Sequence, residues 1–399
     1  MKKVKFVAIA LAFTLVLVAS TAQPVAAASR YDILSSYMTN HYDTVRGGYF
    51  LPFDGVTRIN PTYGALSIMN EFGSLSQRPP PIAITDVLDF VEDHQFLSNE
   101  DDTNYGGFSN YLLADVVGDV NFNGLLLWEM LKDPRFNDIP GVNDYDINAT
   151  ASALWINSTL SGDGGYGFIP GADAELISTF RAVVSFRIIE DIYPLEHIWD
   201  TYVNETAVLA WIETCRDGGY YKLSPDSSGS SVTATAAAVL AYEAIDPLSS
   251  VPSASSVQNW LRERQILDYP YPEYIGGFEE GNATDAPNLV STFYAMSALE
   301  TMNAISGVNI SALENFVIKC QALDGSWANS PGFSEGSLLY AGYACQILNM
   351  DSPGRALSLL SSLPDPNEGG PATYDWRIIV VIGIVLVAAV VAFYALRMD

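Results

Sequence analysis

Basic residues are scarce in this chain of 399: 19 Lys and Arg stand against 46 Asp and Glu, a formal net charge of −27. A surface of that sign repels nucleic acid and anionic lipid headgroups, so no nucleic-acid partner is expected. Histidine is scarcer still, at His41, His94 and His197 alone. The three cysteines, Cys215, Cys320 and Cys345, are too few for a disulfide framework and allow one pair and a free thiol at most. The sequence contains no CxxC, no HExxH and no Cys/His cluster, which argues against a soft tetrahedral zinc site. It also lacks the Asp-x-Asp-x-Asp-Gly pattern of a calcium loop.

What is there begins with the two ends. Residues 1–28 read as an export signal: Lys2, Lys3 and Lys5 precede an apolar core at 6–18, and Ala26, Ala27 and Ala28 supply small residues for cleavage. Residues 378–396 run for nineteen positions without a charge or a proline, long enough to cross hydrocarbon. Arg377 stands before this run, and Arg397 and Asp399 lie beyond it. One arginine on each side says little about orientation, so the signal does the orienting. The expected topology is an exported domain over 29–360, a Pro/Gly/Asp/Asn-rich stalk over 361–377, a transmembrane helix over 378–396 and a tail of 397–399. The main domain then lies outside the cell membrane, held by a single pass. Residues 29–375 carry 45 acids and 14 bases, a net of about −31. Such a field attracts divalent cations or basic partners, or is simply a well-solvated surface.

Between the ends a unit recurs. Gly47-Gly48-Tyr49, Gly106-Gly107-Phe108, Gly164-Gly165-Tyr166, Gly218-Gly219-Tyr220 and Gly276-Gly277-Phe278 are followed by a degenerate sixth copy, Asp324-Gly325-Ser326-Trp327. Taken at Gly48, Gly107, Gly165, Gly219, Gly277 and Gly325, the spacings are 59, 58, 54, 58 and 48, the signature of a repeat architecture. Each turn separates two helical patterns. Tyr31, Leu34, Tyr37 and Met38 open the first. Pro61 begins the second, and Thr85 is placed to cap the third. The helix after each turn is the more apolar of the two and, over 231–244, is rich in Ala and Thr. The reading is all-α: six antiparallel hairpins, about 12 helices, with the second helix of each hairpin inside. Stacking completes the core that no hairpin can bury alone. Periodicity leaves open whether the six close into a ring or continue as a solenoid.

Six phased turns, together with Gln321-Ala322-Leu323-Asp324-Gly325-Ser326-Trp327, which fits a Gln-x3-Gly-x-Trp pattern, resemble the alpha/alpha-toroid superfamily of protein prenyltransferase beta subunits and squalene cyclases. The resemblance covers roughly residues 31–350 and implies a closed ring of helices around a cavity. It also implies chemistry that can be sought residue by residue. A prenyltransferase zinc would need an aspartate and a cysteine before the fifth inner helix and a histidine in the sixth. Asp285 is present, but no cysteine or histidine accompanies it. Asp173-Ala174-Glu175 and Asp144-x-Asp146 match no cyclase acid motif, and the Gly-Cys-Gly-Glu-Gln of complement-type thioester domains is missing.

The candidate site residues are therefore the carboxylates that a closed ring gathers at one mouth: Asp173, Glu175, Glu279, Asp285 and Glu335, with Asp54, Asp226 and Glu280 beside them. A set of this kind has the chemistry for Ca²⁺ or a cationic ligand, for helix-dipole compensation, or for plain surface. Tyr49, Phe108, Tyr166, Tyr220, Phe278 and Trp327 are expected to plug the seams. Tyr63, Trp128, Phe180, Tyr242, Phe293, Tyr294 and Tyr340 either line a cavity for a lipid or glycan or fill the core. Sequons stand at Asn148, Asn157, Asn204, Asn282 and Asn309, where asparagine also suits a helix cap. Two functions remain in view: a ligand-binding or structural module at the cell surface, with a protein, glycan or lipid ligand, and a cyclase- or prenyltransferase-like enzyme acting on an apolar substrate in the cavity.

Overall fold

The computed structural model describes residues 28–75, 82–112, 114–245, 251–281 and 286–366. The expected export signal (save Ala28) and the expected membrane helix lie outside them, as do Asn282 and Asp285. Among the described residues no helix is long and apolar enough to cross a membrane. The chain divides into two compact units. In the smaller, residues 1–30 and 361–399, Ser29 pairs antiparallel with Pro364. The larger, Tyr31–Leu360, holds the repeats.

Fourteen α-helices occur among the described residues. Twelve form the six hairpins: α1 (Arg30–Asn40) and α2 (Ile59–Glu71), α3 (Ile84–Asp93) and α4 (Gly118–Leu131), α5 (Ala149–Ser158) and α6 (Leu176–Ile192), then, past the short α7 (Ile198–Tyr202), α8 (Glu205–Thr214) and α9 (Val232–Ile245), α10 (Ala254–Glu263) and α11 (Leu289–Thr301), and α12 (Ile310–Lys319) and α13 (Leu338–Met350). The second addition to the expected twelve is α14 (Arg355–Ser362). Outer helices such as α3 and α10 bury one stripe, Val87, Leu88 and Val91 in the first and Val257 and Leu261 in the second. The inner α9 is buried almost all round, because its Ala and Thr side chains let neighbours approach on both flanks. Asn148, Asn204, Asn288, Asn309 and Ser337 cap α5, α8, α11, α12 and α13, each accepting from the backbone N–H three residues on. Thr85 does not cap α3, which starts one residue before it, after Ala83 and without a side-chain cap.

The inner helices pack in the order α2, α4, α6, α9, α11 and α13, and α13 packs back on α2. The repeats therefore close into a ring, which the periodicity had left open. At the closure Gly64 and Gly342 bring the two backbones together: a Cβ on Gly64 would lie 2.3 Å from the Leu338 carbonyl oxygen.

Every turn docks on the next outer helix. Gly47, Gly106, Gly164, Gly276 and Gly325 have φ of +74°, +91°, +105°, +109° and +96°. A Cβ at these positions would fall 1.9–2.7 Å from the carbonyl oxygens of Asp86, Ala151, Ala207, Ala312 and Ile33. The residue after each glycine meets an aromatic four positions further along that helix: Gly48 meets Phe90, Gly107 Trp155, Gly165 Trp211 and Gly277 Phe316, and Ser326 hydrogen-bonds the Tyr37 hydroxyl. Gly325 is thus the counterpart of the first glycine of the other turns, and Ser326 of the second.

Unit four departs from the expected register. Gly218 and Gly219 form the loop of a small hairpin, Arg216–Asp217 against Tyr220–Tyr221, which adds one residue. Gly219, where a Cβ would lie 3.4 Å from the Ser256 oxygen, takes the first place. Tyr220 stands where a second glycine would, its ring 5.2 Å from Trp260. The fully buried plug is therefore Tyr221, not Tyr220, alongside Tyr49, Phe108, Tyr166, Phe278 and Trp327. Five of these plugs donate their backbone N–H to a side-chain oxygen of their own inner helix, at Thr62, Asn121, Thr179, Thr235 and Thr292.

Candidate functional site: the ring lumen

The mouth carboxylates do not form the expected cluster. Asp173 and Glu335 are exposed. Glu175 stands before the first turn of α6 and accepts from the Ser178 hydroxyl (2.8 Å), a helix-start role. Glu279 is buried and paired with Arg264 (3.0 Å), whose guanidinium lies 5.1 Å from the Trp260 ring. Asp285 lies outside the described residues. Among the described residues no group of three or more His, Cys, Asp or Glu is placed to hold a metal ion.

This end of the ring is instead used by the seams. The residue two past five of the six plugs accepts the first N–H of the preceding inner helix: Asn110 from Ile59, Phe168 from Gly118, Leu223 from Leu176, Glu280 from Val232 and Asn329 from Leu289. The side chains of Asn110, Glu280 and Asn329 take the next free N–H groups, those of Asn60, Thr233 and Val290. Glu280 also accepts from the hydroxyls of Ser231 (2.5 Å), Thr233 (2.5 Å) and Ser291 (2.6 Å), so one carboxylate ties α9 to α11. The open N–H groups of a helix start and its dipole both favour an acceptor there.

The chemistry lies deeper. Arg181, in the second turn of α6, reaches Tyr294 of α11 by a side-chain hydrogen bond and feels Asp119 of α4 and Tyr343 of α13 electrostatically. Partners on three other inner helices place its guanidinium in the lumen. Around it aromatic rings link across the ring. Phe122 meets Phe180 at 5.5 Å, Phe180 meets Tyr294 at 6.3 Å, and Phe293 stacks on Tyr343 at 4.3 Å. Arg181 and Tyr343 lie deep in the ring yet keep part of their surface accessible, so they border internal space rather than packed core. Burial opposes the charge of Arg181, but Tyr294 and Asp119 outweigh it and raise the guanidinium pKa. Burial holds the Tyr343 and Tyr63 hydroxyls protonated.

Two buried atoms here have no hydrogen-bond partner, Arg181 Nε and Asp119 Oδ1. The two side chains are not in ion-pair contact, unlike Arg264 and Glu279. Of the aromatics singled out in the sequence, Tyr63, Phe180, Phe293, Tyr294 and Tyr340 belong to this set. Trp128 and Tyr242 point away from it: Trp128 donates to the Tyr193 hydroxyl (3.0 Å), and Tyr242 donates to Glu213 of α8 (2.8 Å). Sequence reasoning missed Arg181, Asp119, Phe122 and Tyr343. The available signal was a cation inside the mostly apolar α6. Its other arginine, Arg187, is accounted for by the Ala244 carbonyl and the Trp199 ring.

At the opposite end Asn70, Glu71, Glu300, Gln346 and Asn349 border a cavity of about 350 Å³. Burial raises the pKa of Glu71 against its bond from Asn349, and burial followed by Glu71 raises that of Glu300. The histidines all lie in the outer layer. His41 and His94 turn Nδ1 to the Tyr37 and Phe90 carbonyls, and His197 precedes α7 at a φ of +50°. The cysteines are buried and unpaired. These residues do not fit a zinc site of the prenyltransferase type.

Comparison with known proteins gives the fold a family. No curated protein matches the sequence. Among solved structures, Candida albicans protein geranylgeranyltransferase-I complexed with GGPP superposes with a TM-score of 0.57 at 16% identity, covering 75% of this chain and 85% of that one. Variants of the type II terpene cyclase MstE from Scytonema superpose similarly. One in complex with merosterolic acid A scores 0.51 at 11% identity (82% of this chain, 96% of that one), and an apo variant 0.51 at 12% (83% and 97%). At these identities the likeness concerns the fold alone. The family model of the prenyltransferase alpha-alpha toroid domain matches residues 129–271 and 189–362, together more than half of the chain. The chain belongs to the prenyltransferase alpha-alpha toroid domain family.

Proposed function

We propose that this chain is a binding module whose ring lumen takes an apolar molecule with an uncharged polar head. In the same reading residues 1–28 export it and residues 378–396 hold it at the cell membrane by a single pass, with the ring outside. The observation that carries the lumen reading is the donor Arg181 Nε and the acceptor Asp119 Oδ1, both buried without partners between aromatic walls. A buried polar atom left unmet costs about 1–3 kcal/mol, and a hydroxyl both accepts and donates. The Asp119 carboxylate offsets the guanidinium, and the acidic body adds repulsion, so a polyanionic head is disfavoured. The signal-like start and the charge-free run near the end support the placement at the membrane.

The test is binding to the purified full chain in detergent, with an isoprenoid alcohol and its diphosphate of equal length as probes. The alcohol is expected to bind at least about tenfold more tightly, a difference of about 1.4 kcal/mol. Tighter binding of the diphosphate overturns the head-group assignment. Binding by neither overturns the lumen reading. Carbonate extraction and protease access from outside intact cells test the anchor.

A second reading, prenyltransferase- or cyclase-like catalysis on an apolar substrate, draws on the same carboxyl. A carboxylate beside aromatic faces suits stabilisation of a carbocation formed from an apolar substrate. Turnover of either probe that disappears in Asp119→Asn selects this reading.

A further inference from the structure

We infer that Asn148, Asn204 and Asn309 are N-glycosylation sites and that Asn157 is not, although all four lie in Asn-x-Ser/Thr sequons. The inference rests on the export reading and goes beyond the lumen. Asn148, Asn204 and Asn309 occupy one structural position, the residue before outer helices α5, α8 and α12, with φ of −79°, −92° and −79° and ψ of 88°, 87° and 90°. Each is exposed. Each caps its helix through Oδ1, which accepts from Ala151 (2.9 Å), Ala207 (3.1 Å) and Ala312 (3.1 Å). The cap uses Oδ1 and not Nδ2, so a sugar on Nδ2 and the cap on Oδ1 are compatible. The companion residues Thr150, Thr206 and Ser311 are exposed as well.

Asn157 differs in its place and in its burial. It lies inside α5 and is half-buried. Its companion Thr159 is buried and donates to the Ile156 carbonyl (2.8 Å). A transferase that must seat both the amide and the hydroxyl reaches exposed first turns at Asn148, Asn204 and Asn309, but a half-buried amide and a buried hydroxyl at Asn157.

The transfer is a substitution at the anomeric carbon of a lipid-phosphate-linked oligosaccharide. The Asn Nδ2–C1 bond forms, the C1–O bond to phosphate breaks, the phosphate leaves with the electron pair, and one amide proton goes to solvent. Because the hairpins are antiparallel, all three outer-helix starts open at the end of the ring where the inner helices finish. The sugars would gather around that end, which also holds the Glu71 and Glu300 cavity.

The test is glycopeptide mass spectrometry on the full chain isolated from its own membranes, with protease access from outside the cell measured on the same preparation. Sugar on the Asn148, Asn204 and Asn309 peptides and none on the Asn157 peptide is the expected result. Unmodified asparagines in a chain that is outside the cell overturn the inference and leave the export reading standing. A chain that is not outside overturns both. Equal occupancy at Asn157 overturns the structural selection. Asn148→Asp, which keeps a capping oxygen, is expected to remove one sugar mass without moving Tm; Asn148→Ala removes the same mass and lowers Tm.

Discussion

The seams between the inner-helix starts and the lumen that these helices enclose treat polar groups differently. At the start, Glu280 alone gathers three hydroxyls and an N–H, and Asn110 and Asn329 serve neighbouring helices across the seam. In the lumen, Arg181 Nε and Asp119 Oδ1 are buried with nothing to meet them. The carboxylates of a toroid mouth look like a site in sequence because they recur in phase. The phase reflects seam-building, and Arg181 and Asp119 lie where no repeat is visible. A polar group that folding has already satisfied has little left for a ligand.

The largest expected effect comes from breaking a seam. Gly276→Ala would set a Cβ 1.9 Å from the Ala312 oxygen at a φ of +109°, and should cost about 4 kcal/mol from strain and overpacking together. Gly219→Ala, with 3.4 Å of room, should cost no more than about 1 kcal/mol. Chemical denaturation of the two variants compares them directly, and equal losses would mean that the turns do not dock as described. Next comes Glu280→Ala, which strands three hydroxyls and should cost about 3 kcal/mol; a loss below about 1 kcal/mol would return Glu280 to the class of plain surface carboxylates.

The third effect depends on pH. Burial, against its bond to Phe90, lowers the His94 pKa to about 4 in the folded chain. Between the ordinary histidine value of about 6.5 and 4 the unfolded chain binds a proton that the folded chain refuses, so stability falls with acidity. From pH 6.5 to pH 5 the loss is about 2 kcal/mol. Glu71, Glu129 and Glu300, whose folded pKa values are raised, act in the opposite sense: their contribution is present in acid and is lost as pH rises through the folded values. The informative quantity is therefore the difference in slope between the wild-type chain and His94→Gln, and parallel pH profiles would sink the argument.

The smallest effect on stability tests the lumen. Arg181→Met combined with Asp119→Leu removes both unmet atoms and should leave stability unchanged or raise it by about 1 kcal/mol, while binding of the isoprenoid alcohol falls at least about tenfold.

Much of the fold was legible in the sequence. Glycine at Gly47, Gly106, Gly164 and Gly276 answers a local need, a left-handed φ against a neighbour's carbonyl, and local needs leave residue-level traces. The hairpins, the inner position of the more apolar helices and the plugging aromatics follow from that phase. Unit four was misread by one residue because Gly218 and Gly219 serve a hairpin loop there, and a two-residue loop and a docking turn use the same glycines. The candidate site was much less legible. Glu279 is indistinguishable from Glu280 in sequence, yet one is buried against Arg264 and the other ties two helices together.

The sequence by itself determined six units of helix, turn and helix, because each turn depends on residues adjacent in the chain. Tertiary structure decided that α13 returns to α2, since closure depends on the small rotation each hairpin adds to the last, summed over six. It also decided that Arg181 would face Tyr294, Tyr343 and Asp119, residues from three other helices. Which side chains meet on the axis of a ring depends on the rotation of each helix about its own axis, and that is fixed by packing on both flanks rather than by the spacing of the repeat.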